Sequence, residues 1–278
     1  MAGPMEATAR RLLGPTPTPP FVSSLLRARR LVQRNMLVYR HGWIIIVSGF
    51  FEPLFYLLGI GFGLGSLTDG VTLTNGQTIP YQAFVAPGLL AMSTLNGAIA
   101  ESIFNVFFKL NFSKTYDAIL ATPLGIREIA VGEMLWSLFR GTLYVIAFVL
   151  VMIGMGLVIS PFLFLVIPAS ILIGAAFSAA CLATTAYLRT VQDFDLPMGL
   201  VVMPMFLFSG TFFPVSFYPV PIQVLMEAIP LFHGVTLVRA LTTGVIEPRL
   251  AWDVLYLVVF FAICFFIAMR QIERKLIK

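Results

Sequence analysis

Ionisable side chains set inside apolar stretches are where this chain could do chemistry. Glu52, Glu101, Glu133 and Arg140, with the amide Asn96, each fall within long runs of Leu, Ile, Val, Phe and Ala. A charge at the bilayer centre costs about 2.5–3.5 kcal/mol on insertion scales, so such groups face protein or a water-filled cavity rather than lipid. Three uses stand open: a structural ion pair, for instance Arg140 with Glu133 or Glu101; a polar lining for a translocation path; or a proton relay. Glu52, followed by Pro53, is expected on a dimer-facing or cavity-facing surface. Other chemistries lack their reagents. The two histidines, His41 and His233, lie apart from the two cysteines, Cys181 and Cys264, so no metal set is visible. Both cysteines fall in apolar runs and read as buried free thiols. No Ser-His-Asp grouping has positional support. The alternating Gly59, Gly61, Gly63 and Gly65 is not followed by Gly-Lys-Ser/Thr, so it reads as a small-xxx-small packing face and not a phosphate loop. The chain shows no enzymatic site, and any ATP that drives it must be hydrolysed by another polypeptide.

The elements that position these groups are membrane helices. Hydrophobic residues make up 59% of the chain and charged ones 11%, against about 25% charged in a soluble domain. A hydrocarbon core about 30 Å thick takes roughly 20 apolar residues per helix. Six crossings are expected, near residues 43–64, 83–107, 129–158, 162–188, 194–213 and 251–269. The basic residues sit at helix ends rather than along one continuous face, which argues against nucleic acid as a partner. With the amino terminus taken as cytoplasmic, 15 Lys and Arg fall on that side. Only Arg239 and Arg249 fall opposite, while Arg140 lies inside the third crossing. Both termini are therefore expected in the cytoplasm.

The connecting segments carry further signals. Residues 1–20 are Pro-rich with no apolar core for a signal peptide and read as a disordered cytoplasmic lead-in. Residues 21–42 read as an amphipathic helix on the cytoplasmic interface, with apolar side chains in lipid and arginines at head groups. The polar stretch 66–82, with Asp69-Gly70 and Asn75-Gly76, reads as an outside loop. Pro197 and Pro204 predict a kinked or broken fifth crossing. Residues 214–249 are too polar to cross and too apolar for an ordinary loop. They predict two short helices, 220–228 and 232–241, parted near Pro230 and dipping back into the outer leaflet as a re-entrant hairpin. In the cytoplasmic loop 109–128, a short helix around 114–121 is expected to expose Tyr116, Asp117 and Leu120 and to end before Pro123.

Four stretches then carry a family resemblance. They are Glu52-Pro-Leu-Phe-Tyr-Leu-Leu-Gly-Ile-Gly-Phe-Gly-Leu-Gly, Tyr81-Gln-Ala-Phe-Val-Ala-Pro-Gly-Leu, Tyr116-Asp-Ala-Ile-Leu-Ala-Thr-Pro-Leu, and Phe206-Leu-Phe-Ser-Gly-Thr-Phe-Phe-Pro followed by Pro221, Pro230 and Arg239. In these the chain resembles the type-2 ABC exporter permeases, in particular the branch that includes the nodulation lipo-oligosaccharide exporters. The resemblance implies an all-α polytopic membrane protein of six transmembrane helices, with an N-terminal amphipathic helix, a cytoplasmic coupling helix and an outer re-entrant hairpin. Within it, residues 43–270 form the transmembrane domain and 271–278 a cytoplasmic tail. It implies that Lys114, Tyr116, Asp117, Leu120, Thr122 and Pro123 meet an ATPase subunit. Phe206, Phe208, Ser209, Gly210, Phe212, Phe213, Pro214, Pro230 and Arg239 would form an outer gate. It further implies two permease chains with two ATPase subunits that bind ATP and Mg, a bacterial inner-membrane location, and outward movement of a lipo-oligosaccharide, glycolipid or drug. A proton-coupled secondary transporter using Glu52 and Glu101 is the rival expectation, although no inverted repeat supports it.

Overall fold

The computed structural model describes residues 21–39, 51, 54–73, 75–122 and 124–276, with only the backbone of 21–27. Glu52, Pro123, His41, the lead-in 1–20 and residues 43–50 of the first expected crossing lie outside these. Helix α1, Phe21–Tyr39, turns Ala28, Leu31 and Asn35 inward while Arg29, Arg30, Met36, Leu37 and Val38 stay exposed. This is the spacing of one helical face. It lies against a later helix, α5 (Ile126–Gly154), at Gly132, where an added Cβ would come within 2.8 Å of the Leu31 side chain.

The apolar helix α2, Leu54–Gly65, contains a wide π-turn at Leu57–Phe62 and buries only Leu57 and Gly61 there. Its glycine stripes separate cleanly. Gly61 and Gly65 face Gln82, an added Cβ on Gly65 falling 2.5 Å from the Gln82 amide, whereas Gly59 and Gly63 meet nothing within 4 Å among the described residues. A two-stranded antiparallel hairpin, β1 (Val71–Thr72) and β2 (Thr78–Ile79), follows. Gly70, at φ +101°, sits where an added Cβ would strike the Ile79 carbonyl.

Helix α3, Tyr81–Asn111, is the hub: 83% of its apolar stretch is buried inside the protein, against 11% for the last helix, α10 (Arg249–Leu276). At 1.5 Å per residue it is about 46 Å long, enough to span a bilayer and project beyond it. Lys114, in the left-handed conformation at φ 47°, turns the chain into α4, Thr115–Leu120. Helix α5 then returns, its Gly125 N–H donating to the Glu128 carboxylate at 3.0 Å. Helix α6, Pro161–Thr185, starts after a six-residue link in which Ile159 and Ser160 donate to the Thr242 carbonyl. Cys181 is buried and Cys264 half-buried, both as free thiols.

Helix α7 covers residues 195–207, with a π-turn Pro197–Val202 followed by Met203–Leu207. Thirteen residues reach about 20 Å, roughly two-thirds of a hydrocarbon core. The crossing expected over 194–213 is thus a short, proline-interrupted helix with turns on either side, because Pro197 and Pro204 withhold backbone donors. The two short helices expected next are present: α8, Val220–Glu227, and α9, Pro230–Thr243, bent by 88° at the break between them. Among the described residues, four helices (α3, α5, α6, α10) are long and apolar enough to cross a membrane, or five if the bent pair counts as one.

Candidate functional site

Two sites lie at opposite ends of α3, about 40 Å apart along its axis. The first is built around α4. Tyr116 and Ile119, one turn apart, are buried in a cluster with Leu31 of α1, Val106 of α3, Ile129 of α5, Leu182 of α6 and Ile272 of α10. One short helix therefore shares a buried core with residues from five others. Its outer edge, Asp117, Ala118, Ala121 and Thr122, is exposed, as is Lys114, and Leu120 is half-buried. Tyr116 departs from the sequence expectation: it is 2% exposed and points inward. Burial, reinforced by the Glu133 carboxylate, pushes its phenol pKa well above the ordinary range. Tyr116, Ile119 and Leu120 do form an i, i+3, i+4 apolar stripe in the sequence, but one too short by itself to fix which way the ring points.

Behind this cluster the intramembrane charges are paired. Arg140 of α5 forms an ion pair with Glu101 of α3 and donates through Nε to the Tyr144 hydroxyl at 2.7 Å. Asn105 donates to the second Glu101 oxygen at 2.7 Å and to the Tyr39 hydroxyl at 3.0 Å, which draws α1 into the network. Two turns nearer α4, Lys109 pairs with Glu133 at 2.8 Å, and Asn35 of α1 donates to Glu133 at 3.3 Å. Of the pairings open in the sequence, Arg140 takes Glu101, and Glu133 takes Lys109, a partner the sequence did not single out. The π-turn Ala100–Asn105 lies where α3 presents Glu101 and Asn105 to both α1 and α5. Each buried charge is matched, as low dielectric demands. Asn96, half-buried more than a turn away, takes no part.

The second site is the turn after α7. Phe208 ends the helix, Gly210 takes φ +72°, and the Ser209 hydroxyl donates to the Phe206 carbonyl at 2.7 Å. Arg239 of α9 clamps this turn: Nη2 donates to the Gly210 carbonyl at 2.8 Å and Nε to the Phe84 carbonyl at 3.2 Å. Its guanidinium lies 3.9 Å from the centre of the Phe84 ring, a cation–π contact. Tyr81 of α3 donates to the Phe212 carbonyl at 3.1 Å, and Gly88 leaves room for Thr211, which an added Cβ would approach to 2.6 Å. Phe206 and Phe212 meet edge-to-face at 5.1 Å, and Phe213 is exposed. Pro214 precedes a single 3-10 turn, and Pro230 opens α9. Two separate sequence motifs, the one starting at Tyr81 and the one starting at Phe206, are therefore one packed unit. Phe84, Gly88 and Thr211 were not singled out by sequence, although Phe84 and Gly88 lie inside the first motif.

This arrangement coincides with a known family. Residues 27–242 match the ABC-2 type transporter family. The chain belongs to that family. It is 30% identical over 246 residues to nodulation protein J of Sinorhizobium fredii, covering 88% of this chain and 92% of that protein. It is 27% identical over 265 residues to nodulation protein J of Neorhizobium galegae, covering 95% and 99%. Inner membrane transport permease YadH of Escherichia coli is 24% identical over 200 residues, covering 68% of this chain and 75% of YadH. As an ABC-2 type protein the chain is a multi-pass membrane transport permease, a class that works in general with an ABC ATPase subunit.

Proposed function

We propose that this permease is the membrane-spanning subunit of a bacterial ATP-driven exporter. ATP is hydrolysed, with Mg, by a separate ATPase present in two copies, and a second permease chain, identical or homologous, completes the pathway. Six crossings are reached when α2 is continued by the residues before it and α7 by the turns around it. The α4 end then faces the cytoplasm, with both termini, and the Arg239 turn faces outward together with α8 and α9 as a re-entrant gate. Helix α1 lies at the inner interface, Arg29 and Arg30 toward lipid head groups. The cargo is an amphipathic or hydrophobic molecule, such as a lipo-oligosaccharide, glycolipid or drug. The resemblance to the nodulation lipo-oligosaccharide exporters supports the first of these, and the apolar composition of the chain suits all three.

The observation that carries this reading is α4: its inner face is buried in a core shared with five helices, and Asp117, Ala118 and Thr122 stay exposed as a surface that a motor can push. Asp117→Arg is expected to abolish co-purification of the ATPase subunit while leaving membrane insertion intact. Retention of the ATPase would overturn the placement of the contact. The proton-coupled alternative loses support because Glu101 is already committed to Arg140; transport that survives ATP depletion but collapses with the proton gradient would restore it.

A further inference from the structure

At the end opposite α4, the corner between α8 and α9 is fastened to α10 through a buried imidazole that belongs to neither site. His233 and Asp253 are both 0% exposed. His233 Nδ1 lies 2.6 Å from Asp253 Oδ1, and Nε2 lies 2.9 Å from the Glu227 carbonyl oxygen. A carbonyl only accepts, so Nε2 carries a hydrogen. A bare Nδ1 facing an ionised carboxylate at this distance would set lone pair against lone pair, so a second proton lies between the two atoms. Both ring nitrogens thus face acceptors, which an imidazolium satisfies, and the ring stacks on Tyr256 at 4.0 Å.

Among the described residues, His233 is the group hydrogen-bonded to Asp253. Its Oδ2 has no partner among the described residues. Arg249 of α10 is engaged with Glu227 of α8 at 2.6 Å, on the surface. Tyr256 of α10 donates its hydroxyl to the Ala228 carbonyl at 2.8 Å. From α6 the neighbouring contact is apolar, Ile173 against Gly234. The charged groups facing the pair are thus Glu227 and Arg249, paired through Arg249 Nη2, while Arg249 Nε, one turn from Asp253 on α10, is buried without a hydrogen-bond partner among the described residues.

We infer that His233 and Asp253 are positioning residues whose shared proton latches the α8–α9 hairpin onto α10, and that loss of this proton releases the hairpin. The inference rests on the proposed orientation, which makes the outside medium the source of the proton. Removing it leaves the carboxylate without its imidazolium and one ring nitrogen bare against an acceptor, Asp253 or the Glu227 carbonyl, and burial makes both costly.

Two measurements on the full chain test this. With His41→Gln, His233 is the sole histidine, and its ring nitrogens can be read by 15N NMR. Both are expected to be protonated near neutral pH, and a bare Nδ1 would overturn the latch without reliance on any change at Asp253. For the release, Met226→Cys, at a position of α8 that is 0% exposed, in a Cys181→Ser, Cys264→Ser background is labelled from outside and normalised to a cysteine at exposed Asn75. Normalised labelling is expected to rise at least about fivefold between about pH 6 and pH 9. It should stay flat with Asp253→Asn, whose amide can donate to a neutral Nδ1 while Nε2–H still meets Glu227. A flat wild-type profile, or the same rise in Asp253→Asn, sinks the inference. Because neither measurement needs an ATPase, failure here is distinct from failure of the exporter reading, which the Asp117→Arg co-purification decides.

Discussion

At the scale of single residues, the interior charges behave as matched pairs whose halves are not equivalent to their sum. Arg140→Leu strands Glu101 in a buried site and is expected to cost about 3–5 kcal/mol. The double change Glu101→Leu with Arg140→Met should recover most of that loss, because a packed apolar pair replaces a desolvated ionic one. Thermal unfolding of the three proteins in detergent checks this, and equal losses in single and double variants would show that the pair is not the unit. Asp193 offers a pH test outside the membrane helices. Its carboxylate accepts from the Arg189 and Thr190 amides at 2.7 and 2.9 Å and from the Thr190 hydroxyl at 2.8 Å. The Thr190 amide is the first cause of a pKa held below the usual carboxylate value, followed by the Arg189 amide. A depressed folded pKa means that the turn is favoured above the ordinary carboxylate value and loses that advantage as pH falls through the folded one. Hydrogen exchange of residues 189–194, corrected for intrinsic rates, should therefore accelerate on acidification in the wild type and be fast at every pH in Asp193→Ala.

At the scale of elements, close approaches at glycine decide which helices can meet. Gly132→Val would drive a side chain into Leu31 and toward the Ala28 carbonyl, 3.2 Å from an added Cβ. The expected result is displacement of α1 at a cost of about 1–3 kcal/mol, read as faster proteolysis at Arg29 and Arg30 with the helices from α3 onward still protected. Gly59→Ala, facing open space in this chain, should leave proteolysis unchanged. The inward position of Tyr116 alters how α4 is to be probed. Leu120→Asp would disturb packing as well as any partner surface, whereas Asp117→Arg changes the exposed edge alone. The spacing and length of the apolar runs make α1, α3, α5, α6 and α10 legible in the sequence alone. They also place α8 and α9 within a few residues of their ends. Sequence could not show that Tyr116 faces inward, because a six-residue helix offers too few turns for its own stripe to outweigh a loop setting. Nor could it reveal Lys109 as the partner of Glu133, since the two lie on different helices and meet only through tertiary packing.

For the whole molecule, the two sites divide the labour along α3. The hub helix ends beside α4 at one pole and begins at the Arg239 turn at the other, so a displacement of one pole has a rigid, largely buried path to the other. The proposed topology predicts that cysteines at Asn75 and Asp117 react from opposite faces of sealed vesicles, the first from outside. Reaction from one face would invalidate the orientation. Composition was enough to make the class legible, because a chain this apolar has no water-soluble solution. The family was legible in four short motifs, and the structure accounts for two of them together: the stretches starting at Tyr81 and Phe206 belong with one another because each supplies half of one packed turn.

Arg239 holds that turn through the carbonyl oxygens of Gly210, Thr211 and Phe84 and through the Phe84 ring. Three of these four handles are peptide oxygens, which every residue type provides. The clasp is therefore indifferent to the side chains at 212 and 213, which can change without loosening the bolt beneath them.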